Sequence, residues 1–254
     1  MALTLYVAAA SPLHRLHPVT KLAGLVGFVV AAFVVDRPLV LLPLTAAVFL
    51  LLGSVGGLPN VRRLRLMFVL VFVFTIVVWS FFYRGVFALT RAGVLYGLST
   101  AIRLDTFLAA GILFLTLTRV EEVAYALGRL GVPYPVGFTL TLAFRLVPVF
   151  FDAALAVVQA QRCRGMAFDR GGPITRLRRF VPVIVPVLIG ALRRADRMAM
   201  ALELRGFNSG RPRTTYLRAR AGRADVLAGA AVLATAATYL ALWASGRGTL
   251  AQLP

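Results

Sequence analysis

The chain has 254 residues, of which 60% are hydrophobic, and its mean hydropathy is +0.86. Few soluble proteins have this composition, and several apolar runs approach the roughly 17–25 residues that a helix needs to cross a bilayer. An all-α integral membrane protein is therefore predicted. The formal net charge is +19, and the chain holds two histidines and one cysteine. With so few catalytic and metal-binding side chains, we expect neither an enzyme nor a metal site, and no cofactor.

Five hydrophobic segments are predicted to be transmembrane helices, at about residues 21–35, 39–53, 64–82, 102–118 and 225–245. The first two are separated only by "DRP" at residues 36–38, which indicates a tight helical hairpin. The first 21 residues place their charges after a short apolar stretch, which is not the order in a signal peptide. Membrane insertion is therefore expected to depend on the first transmembrane helix.

The distribution of basic residues predicts the orientation. "RRLR" at residues 62–65 separates the second and third segments, and residues 119–223 contain 18 of the 28 basic residues. The positive-inside rule makes both regions cytoplasmic if the N-terminus is inside. The expected organisation is a transmembrane region of four helices (residues 1–118), a cytoplasmic-side helical domain (residues 119–223) and a C-terminal transmembrane helix (residues 224–254).

The cytoplasmic-side domain is predicted to begin with a short helix. "TRVEEVAYALGRLG" at residues 118–131 has the pattern of an amphipathic helix. Thr118 is expected to cap its start, and Glu121 and Glu122 favour its first turn because carboxylates complement the positive end of the helix dipole. Gly131 is expected to end it.

Two long helices are predicted to follow, at about residues 136–164 and 174–205. The middle of the second, residues 180–192, carries no charge, but its 13 residues are too few to span a bilayer. We expect it to pack on another helix or to enter the membrane interface. Pro182 and Pro186 are expected to bend it.

Four polar residues near the predicted spans raise the question of function inside the membrane. Arg103 and Asp105 are two positions apart, so they do not face each other on a helix. A solvated interfacial pair at the outer end of the span is favoured over a functional intramembrane charge. His14 and His17 have helix-compatible spacing, and a role in a local turn or at the membrane interface is favoured over a metal site.

Both long helices end on the same dipeptide, in "QAQRCRG" at residues 159–165 and "ALELRGF" at residues 201–207. Arginine near a helix C-terminus complements the dipole, and glycine provides the left-handed residue that ends the helix. Two such endings in one cytoplasmic segment favour a paired docking function. The guanidinium groups of Arg164 and Arg205 are suited to acidic grooves on another protein.

Further motifs accompany these endings. They are "SPLHRLHPVTKL" at residues 11–22, "TRVEEVAYALGRLGVP" at 118–133, "AFRLVPVFFDAALAVVQAQRCRG" at 143–165, and "RPRTTY" at 211–216. In this order the chain resembles, nearly end to end, the transmembrane T component of energy-coupling factor (ECF) transporters, which are vitamin and metal importers of the ABC class. His17 stands where that family usually has aspartate. Cys163 replaces a usual alanine, and because a thiol is similarly small, docking is expected to survive.

The resemblance implies a subunit that couples motion and is not itself an enzyme. Two cytoplasmic ABC ATPase subunits would hydrolyse ATP, and a small membrane S component would bind the vitamin or metal ion. No nucleic acid is implied, and the location would be a bacterial or archaeal cell membrane that the chain crosses several times. The implied ATPase-docking residues are Cys163, Arg164, Gly165, Leu204, Arg205 and Gly206. The implied contacts with the S component are Phe144, Val147, Phe151 and Val185, and Arg145 and Pro148 are assigned a structural role.

Two other functions remain open at this stage. A basic membrane scaffold would bind anionic lipids through its cytoplasmic arginines, and it would need basic clusters but no matched helix tips. An ordinary ABC permease would form its own substrate path without an S component.

Overall fold

The computed structural model describes residues 11–82, 91–168, 172–207, 209 and 222–245, and all regular elements within these ranges are helical. After a 3-10 turn (Pro12–Arg15) come α1 (Pro18–Val34), α2 (Pro38–Ser54), α3 (Leu58–Arg63), α4 (Arg65–Phe82), α5 (Arg91–Leu117), α6 (Val120–Arg129), α7 (Tyr134–Cys163), α8 (Pro173–Leu204) and α9 (Arg223–Ala244). The predicted all-α class is confirmed. The chain forms two compact units, Met1–Val132 with Arg218–Pro254, and Pro133–Leu217.

Within the described ranges, four helices are long and apolar enough to cross a membrane: α4, α5, α7 and α9. Helices α1 and α2 are also apolar but have 17 residues each, which is near the lower limit for a span. They correspond to the predicted hairpin. Helix α7 was predicted to lie on the cytoplasmic side, yet its length and composition also satisfy the requirements for a span.

Helix α5 is the central helix of the first unit. Half of its most apolar 18-residue window is buried, compared with 17% of that of α4. It begins at Arg91, well before the predicted start at residue 102, and Gly97 in this additional stretch allows a close approach to α4. A Cβ atom on Gly97 would lie only 3.2 Å from the carbonyl oxygen of Ile76. Packing thus overrides the weak helix propensity of this glycine-containing stretch.

Arg103 lies inside α5 and reaches the C-terminal end of α1. Its guanidinium donates to the Asp36 carboxylate at 2.6 Å and to the carbonyl oxygens of Val35 at 2.6 Å and Ala32 at 3.0 Å. Only 12% of the Arg103 side chain is exposed, so the expected solvated pair at a helix end is wrong. Arg103 instead bonds the turn between α1 and α2. Asp105 has a buried carboxylate oxygen with no hydrogen-bond partner among the described residues.

Lys21, near the start of α1, makes the matching contact at the other end of that helix. Its ammonium group donates to the Glu122 carboxylate at 2.7 Å and to the carbonyl oxygen of Leu117 at 3.0 Å. The side chain is only 2% exposed. One buried cation therefore joins the start of α1 to the end of α5 and the first turn of α6.

The predicted short helix is present as α6, with Glu121 and Glu122 in its first turn as expected. The prediction that Thr118 caps the start of α6 is wrong. The Thr118 N–H donates to the Phe114 carbonyl at 2.9 Å and so continues the hydrogen bonding of α5. Its hydroxyl oxygen is buried and accepts no hydrogen bond from the described residues, so it does not cap the next helix. The N-cap is Arg119, which makes no capping hydrogen bond through its side chain. Gly131, with φ +94°, ends the helix as predicted.

The start of α9 is tied to the start of α1. The Asp225 carboxylate accepts hydrogen bonds from the backbone N–H groups of His17 and Gly222. The His17 ring in turn accepts from the N–H of Val19 at 3.2 Å, and the His14 ring bonds the Ser11 hydroxyl at 2.8 Å. Both histidines therefore have the local turn role that was favoured for them.

The second unit contains the two long helices, whose observed bounds lie within about two residues of the predicted ones. Phe138 near the start of α7 packs on Phe207 after the end of α8, with ring centroids 4.6 Å apart. Phe168 after the end of α7 packs on Phe180 near the start of α8, at 5.4 Å. These two contacts at opposite ends show that α7 and α8 run antiparallel. Neither Pro182 nor Pro186 interrupts α8.

We predict that Glu122→Gln lowers the melting temperature of the detergent-solubilised protein by several degrees. Loss of the carboxylate leaves the Lys21 ammonium buried without its counter-charge, which costs on the order of 3 kcal/mol. The matched control is Glu121→Gln, because Glu121 is exposed on the same turn, and its melting temperature should stay within about a degree. Equal shifts for the two variants would contradict a structural role for the ion pair.

We also predict that Gly97→Leu destabilises the protein far more than Gly111→Leu, as measured by thermal unfolding in detergent. Both glycines lie in α5, but a Cβ at Gly111 would meet no atom within 4 Å, whereas one at Gly97 would press on the α4 backbone. Replacing Gly111 should be neutral or stabilising by up to about 1 kcal/mol, because glycine is a poor helix former. A neutral Gly97→Leu would show that α4 and α5 can separate without cost.

Candidate functional site

The first candidate tip is the C-terminal end of α7. Arg164 is the last residue before the chain leaves the helix, and Gly165 adopts a left-handed conformation with φ +83°. The N–H of Gly165 donates to the Arg162 carbonyl and that of Met166 to the Gln161 carbonyl, each at 3.0 Å. This pair of bonds is a Schellman motif, which satisfies carbonyl groups that a helix end otherwise leaves free.

The end of α8 repeats this geometry. Arg205 is the C-cap and Gly206 has φ +68°. The N–H of Gly206 donates to the Glu203 carbonyl and that of Phe207 to the Leu202 carbonyl, both at 2.9 Å. The expectation that glycine supplies the left-handed residue is confirmed at both tips.

The same helix ending also occurs in the first unit, where it carries no arginine. Gly56 and Gly131 have φ +75° and +94° and follow C-cap residues Val55 and Leu130. The glycine is therefore a general device for ending helices in this chain. What distinguishes the tips of α7 and α8 is the arginine at the C-cap.

The predicted docking residues at both tips are accessible. Cys163, Arg164, Gly165, Arg205 and Gly206 are exposed, and Leu204 is 89% exposed. Among the described residues, the ion pairs are Lys21–Glu122 and Arg103–Asp36. Neither tip arginine therefore forms an ion pair with a described residue. Each tip therefore presents a cation and adjoining side chains to the surroundings, which is the arrangement that an acidic groove on another protein would need.

A phenylalanine follows each tip and anchors it to the other long helix. Phe207 directly follows Gly206 and contacts Phe138 of α7, as well as Tyr134 at 6.0 Å. Phe168, which follows Gly165 by three positions, is 5% exposed and contacts Phe180 of α8. These anchors were not identified from the sequence, because a single phenylalanine after a helix gives no sign of its partner.

The proposed contacts with a membrane subunit lie on uncovered apolar surface. Phe144, Val147 and Phe151 of α7 are 52%, 62% and 58% exposed, and Val185 of α8 is 50% exposed. The three α7 residues lie three and four positions apart, so they share one helix face. Exposed apolar faces of this kind mark contact with lipid or another protein.

Arg145 and Pro148 lie between these apolar residues, and both are exposed. Pro148 has no backbone N–H, so the carbonyl of Phe144 loses its usual intrahelical partner. A structural role for Arg145 and Pro148 stays a prediction. Among the described residues, no three His, Cys, Asp or Glu side chains are grouped so that they could hold a metal ion.

Comparison with known families gives a match over most of the chain. The model of the CbiQ family, described as "Cobalt transport protein", matches residues 9–216. That range contains α1–α8 and both Arg-Gly tips.

Individual relatives agree with this match. Three proteins named "Energy-coupling factor transporter transmembrane protein EcfT" are similar along almost their whole length. The one from Limosilactobacillus fermentum is 30% identical, over 90% of this chain and 92% of its own. The one from Streptococcus thermophilus is 30% identical, over 90% and 93%, and the one from Thermosediminibacter oceani is 31% identical, over 88% and 90%.

We predict that removing each phenylalanine anchor loosens only its own tip. Phe207→Ala should speed amide hydrogen exchange in the last turn of α8, and Phe168→Ala should do so at the end of α7, because each loses its aromatic contact with the other helix. Phe151→Ala is the control, since this exposed phenylalanine should leave both tips unchanged in the isolated protein. Faster exchange throughout both helices would contradict local anchoring.

Proposed function

Because this chain belongs to the CbiQ family and to the transmembrane T components of ECF transporters, multi-pass proteins of the bacterial cell membrane, we propose that it couples two cytoplasmic ATPases to a substrate-binding membrane subunit. The ATPases would hydrolyse ATP, and the small S component would carry a vitamin or a metal ion. In this proposal the chain transmits motion and does not itself perform catalysis.

The observation that carries the proposal is the matched geometry of the two arginine tips. Each arginine is a C-cap residue, is exposed, and is followed by a left-handed glycine. Because α7 and α8 run antiparallel, their C-terminal ends lie at opposite ends of the helix pair. A 30-residue helix such as α7 is about 45 Å long. Two tips so far apart suit two separate grooves, one on each ATPase.

Arginine suits this contact for a physical reason. Its planar guanidinium makes two parallel hydrogen bonds to one carboxylate, which fixes the direction of approach as well as the charge. A helix transmits a displacement of its tip along its length because its backbone hydrogen bonds keep it stiff. Closure of the two ATPases on ATP would therefore change the angle between α7 and α8. The uncovered face with Phe144, Val147 and Phe151 would pass this movement to the S component.

We predict that Arg164→Glu and Arg205→Glu each reduce the recovery of ATPase subunits at least tenfold when the tagged protein is purified from its native membrane. A carboxylate at the tip would repel the acidic groove. Arg164→Lys and Arg205→Lys should give an intermediate loss, because lysine keeps the charge but not the paired hydrogen bonds.

The control is Arg197→Glu, which makes the same charge change at an exposed position of α8 away from the tip. It should leave ATPase recovery unchanged. Full ATPase recovery with both tip variants would reduce the Arg-Gly endings to helix caps and favour the lipid-binding scaffold.

A separate prediction concerns the apolar face. Val147→Arg together with Phe151→Arg should remove the S component from the purified complex while both ATPases remain, because two charges would be placed in an apolar contact. Gln159→Arg adds one such charge at an exposed polar position of α7 and serves as the control for each single arginine substitution. Joint loss of the S component and the ATPases would indicate that the double variant does not fold.

A further inference from the structure

A half-open cavity lies inside the first unit, among α1, α2, α5 and α9. Its volume is about 680 Å³, which is within the range of about 300–1,000 Å³ typical of ligand pockets. Its walls are apolar side chains, with few exceptions such as Thr20 and Lys21. Protein interiors normally leave few voids larger than a water molecule, so this volume is not an ordinary packing defect.

Small side chains create the cavity. Each of the four surrounding helices contributes glycine or alanine to its wall: Gly24 from α1, Ala47 from α2, Ala110 from α5, and Ala228 and Ala231 from α9. Larger residues at these positions would fill the space. The cavity therefore results from small residues on the helix surfaces that line it.

The cavity opens at the side of the helix bundle. Leu50 of α2 lines it and is 75% exposed, and Ala231 of α9 lines it and is also exposed. In a chain whose helices cross a membrane, the outer surface of the bundle contacts lipid. An apolar void with access to lipid is occupied by hydrocarbon rather than left empty, since an empty void forfeits the dispersion contacts of its walls.

The cavity lies toward the arginine-rich end of this unit. Its lining comes from the starts of α1 and α9 and the ends of α2 and α5, with Leu13 and Leu16 around the 3-10 turn. Helix α3, which follows the end of α2, carries the exposed Arg62 and Arg63. The positive-inside rule assigns such an end to the cytoplasmic leaflet, where anionic lipids are concentrated.

An exposed cation, Arg15, lies close in sequence to the cavity lining. Lys21 is engaged with Glu122 and Leu117, and Asp225 at the start of α9 is engaged with two backbone N–H groups. Arg15 lies in the turn between the lining residues Leu13 and Leu16, and it is exposed. A guanidinium in this position is suited to a phosphate group.

We propose that this cavity binds one acyl chain of an anionic phospholipid, whose phosphate is held by Arg15. The four helix walls take the hydrocarbon, and the guanidinium selects the charged headgroup. This site is independent of the helix tips and of the face proposed for the S component, so it does not rest on the proposed function.

The test is native mass spectrometry of the full-length protein in mild detergent, titrated with phosphatidylglycerol or with phosphatidylcholine. The natural protein should retain one phosphatidylglycerol per chain at low lipid concentration. Ala231→Phe, and independently Ala47→Phe, should weaken this binding at least tenfold by filling the cavity. The matched control is Ala230→Phe, because Ala230 is an exposed neighbour in α9 that does not line the cavity. Unchanged melting temperatures establish that each variant is folded.

The headgroup is tested with Arg15→Gln, which should abolish the preference for phosphatidylglycerol over phosphatidylcholine. Arg63→Gln replaces an exposed arginine at the same end whose neighbours in the chain do not line the cavity, and it should leave the preference intact. Four results would overturn the proposal: no retained lipid, retention of detergent alone, equal binding by Ala231→Phe and Ala230→Phe, or an unchanged preference in Arg15→Gln.

Discussion

The ammonium group of Lys21 is the constraint on which much of the first unit depends. It is almost fully buried, so the free energy of removing it from water is recovered only while both of its partners stay in place. Those partners are the Glu122 carboxylate and the Leu117 carbonyl. The second is one of the carbonyl groups that the end of α5 leaves without an intrahelical partner. A single side chain therefore joins the first turns of α1 and α6 to the end of α5.

Arg103 makes the reciprocal contact. Lys21 of α1 bonds the carbonyl end of α5, and Arg103 of α5 bonds the carbonyl end of α1. In a membrane there is little water to satisfy such carbonyls, so a cation from a neighbouring helix serves instead and also complements the helix dipole. The two contacts hold α1 and α5 antiparallel and in register. They explain how a chain of high positive charge tolerates two cations among its apolar helices.

Local features of the sequence predicted local features of the structure. The apolar segments, the acidic first turn of α6 and the glycines at the helix ends were all predictable, because each depends on residues within one or two turns. The early start of α5 was not, since the stretch before residue 102 packs against α4 at Gly97, and that contact lies between separate helices. The partner of Arg103 was not predictable either, because Asp36 is 67 positions away. The tips were found from the sequence as a repeated dipeptide, but their aromatic anchors join residues on different helices and required the structure.

The antiparallel arrangement of α7 and α8 has a consequence for symmetry. Two similar helices that run in opposite directions are related by an approximate two-fold axis perpendicular to them, and their arginine tips are exchanged by that axis. A single polypeptide can thus meet a two-fold symmetric pair of proteins with two equivalent contacts. The equivalence is not complete, because Cys163 precedes one arginine and Leu204 the other. A pair of non-identical partners would therefore meet two distinguishable ends, and the chain has the means to be bound in one orientation only.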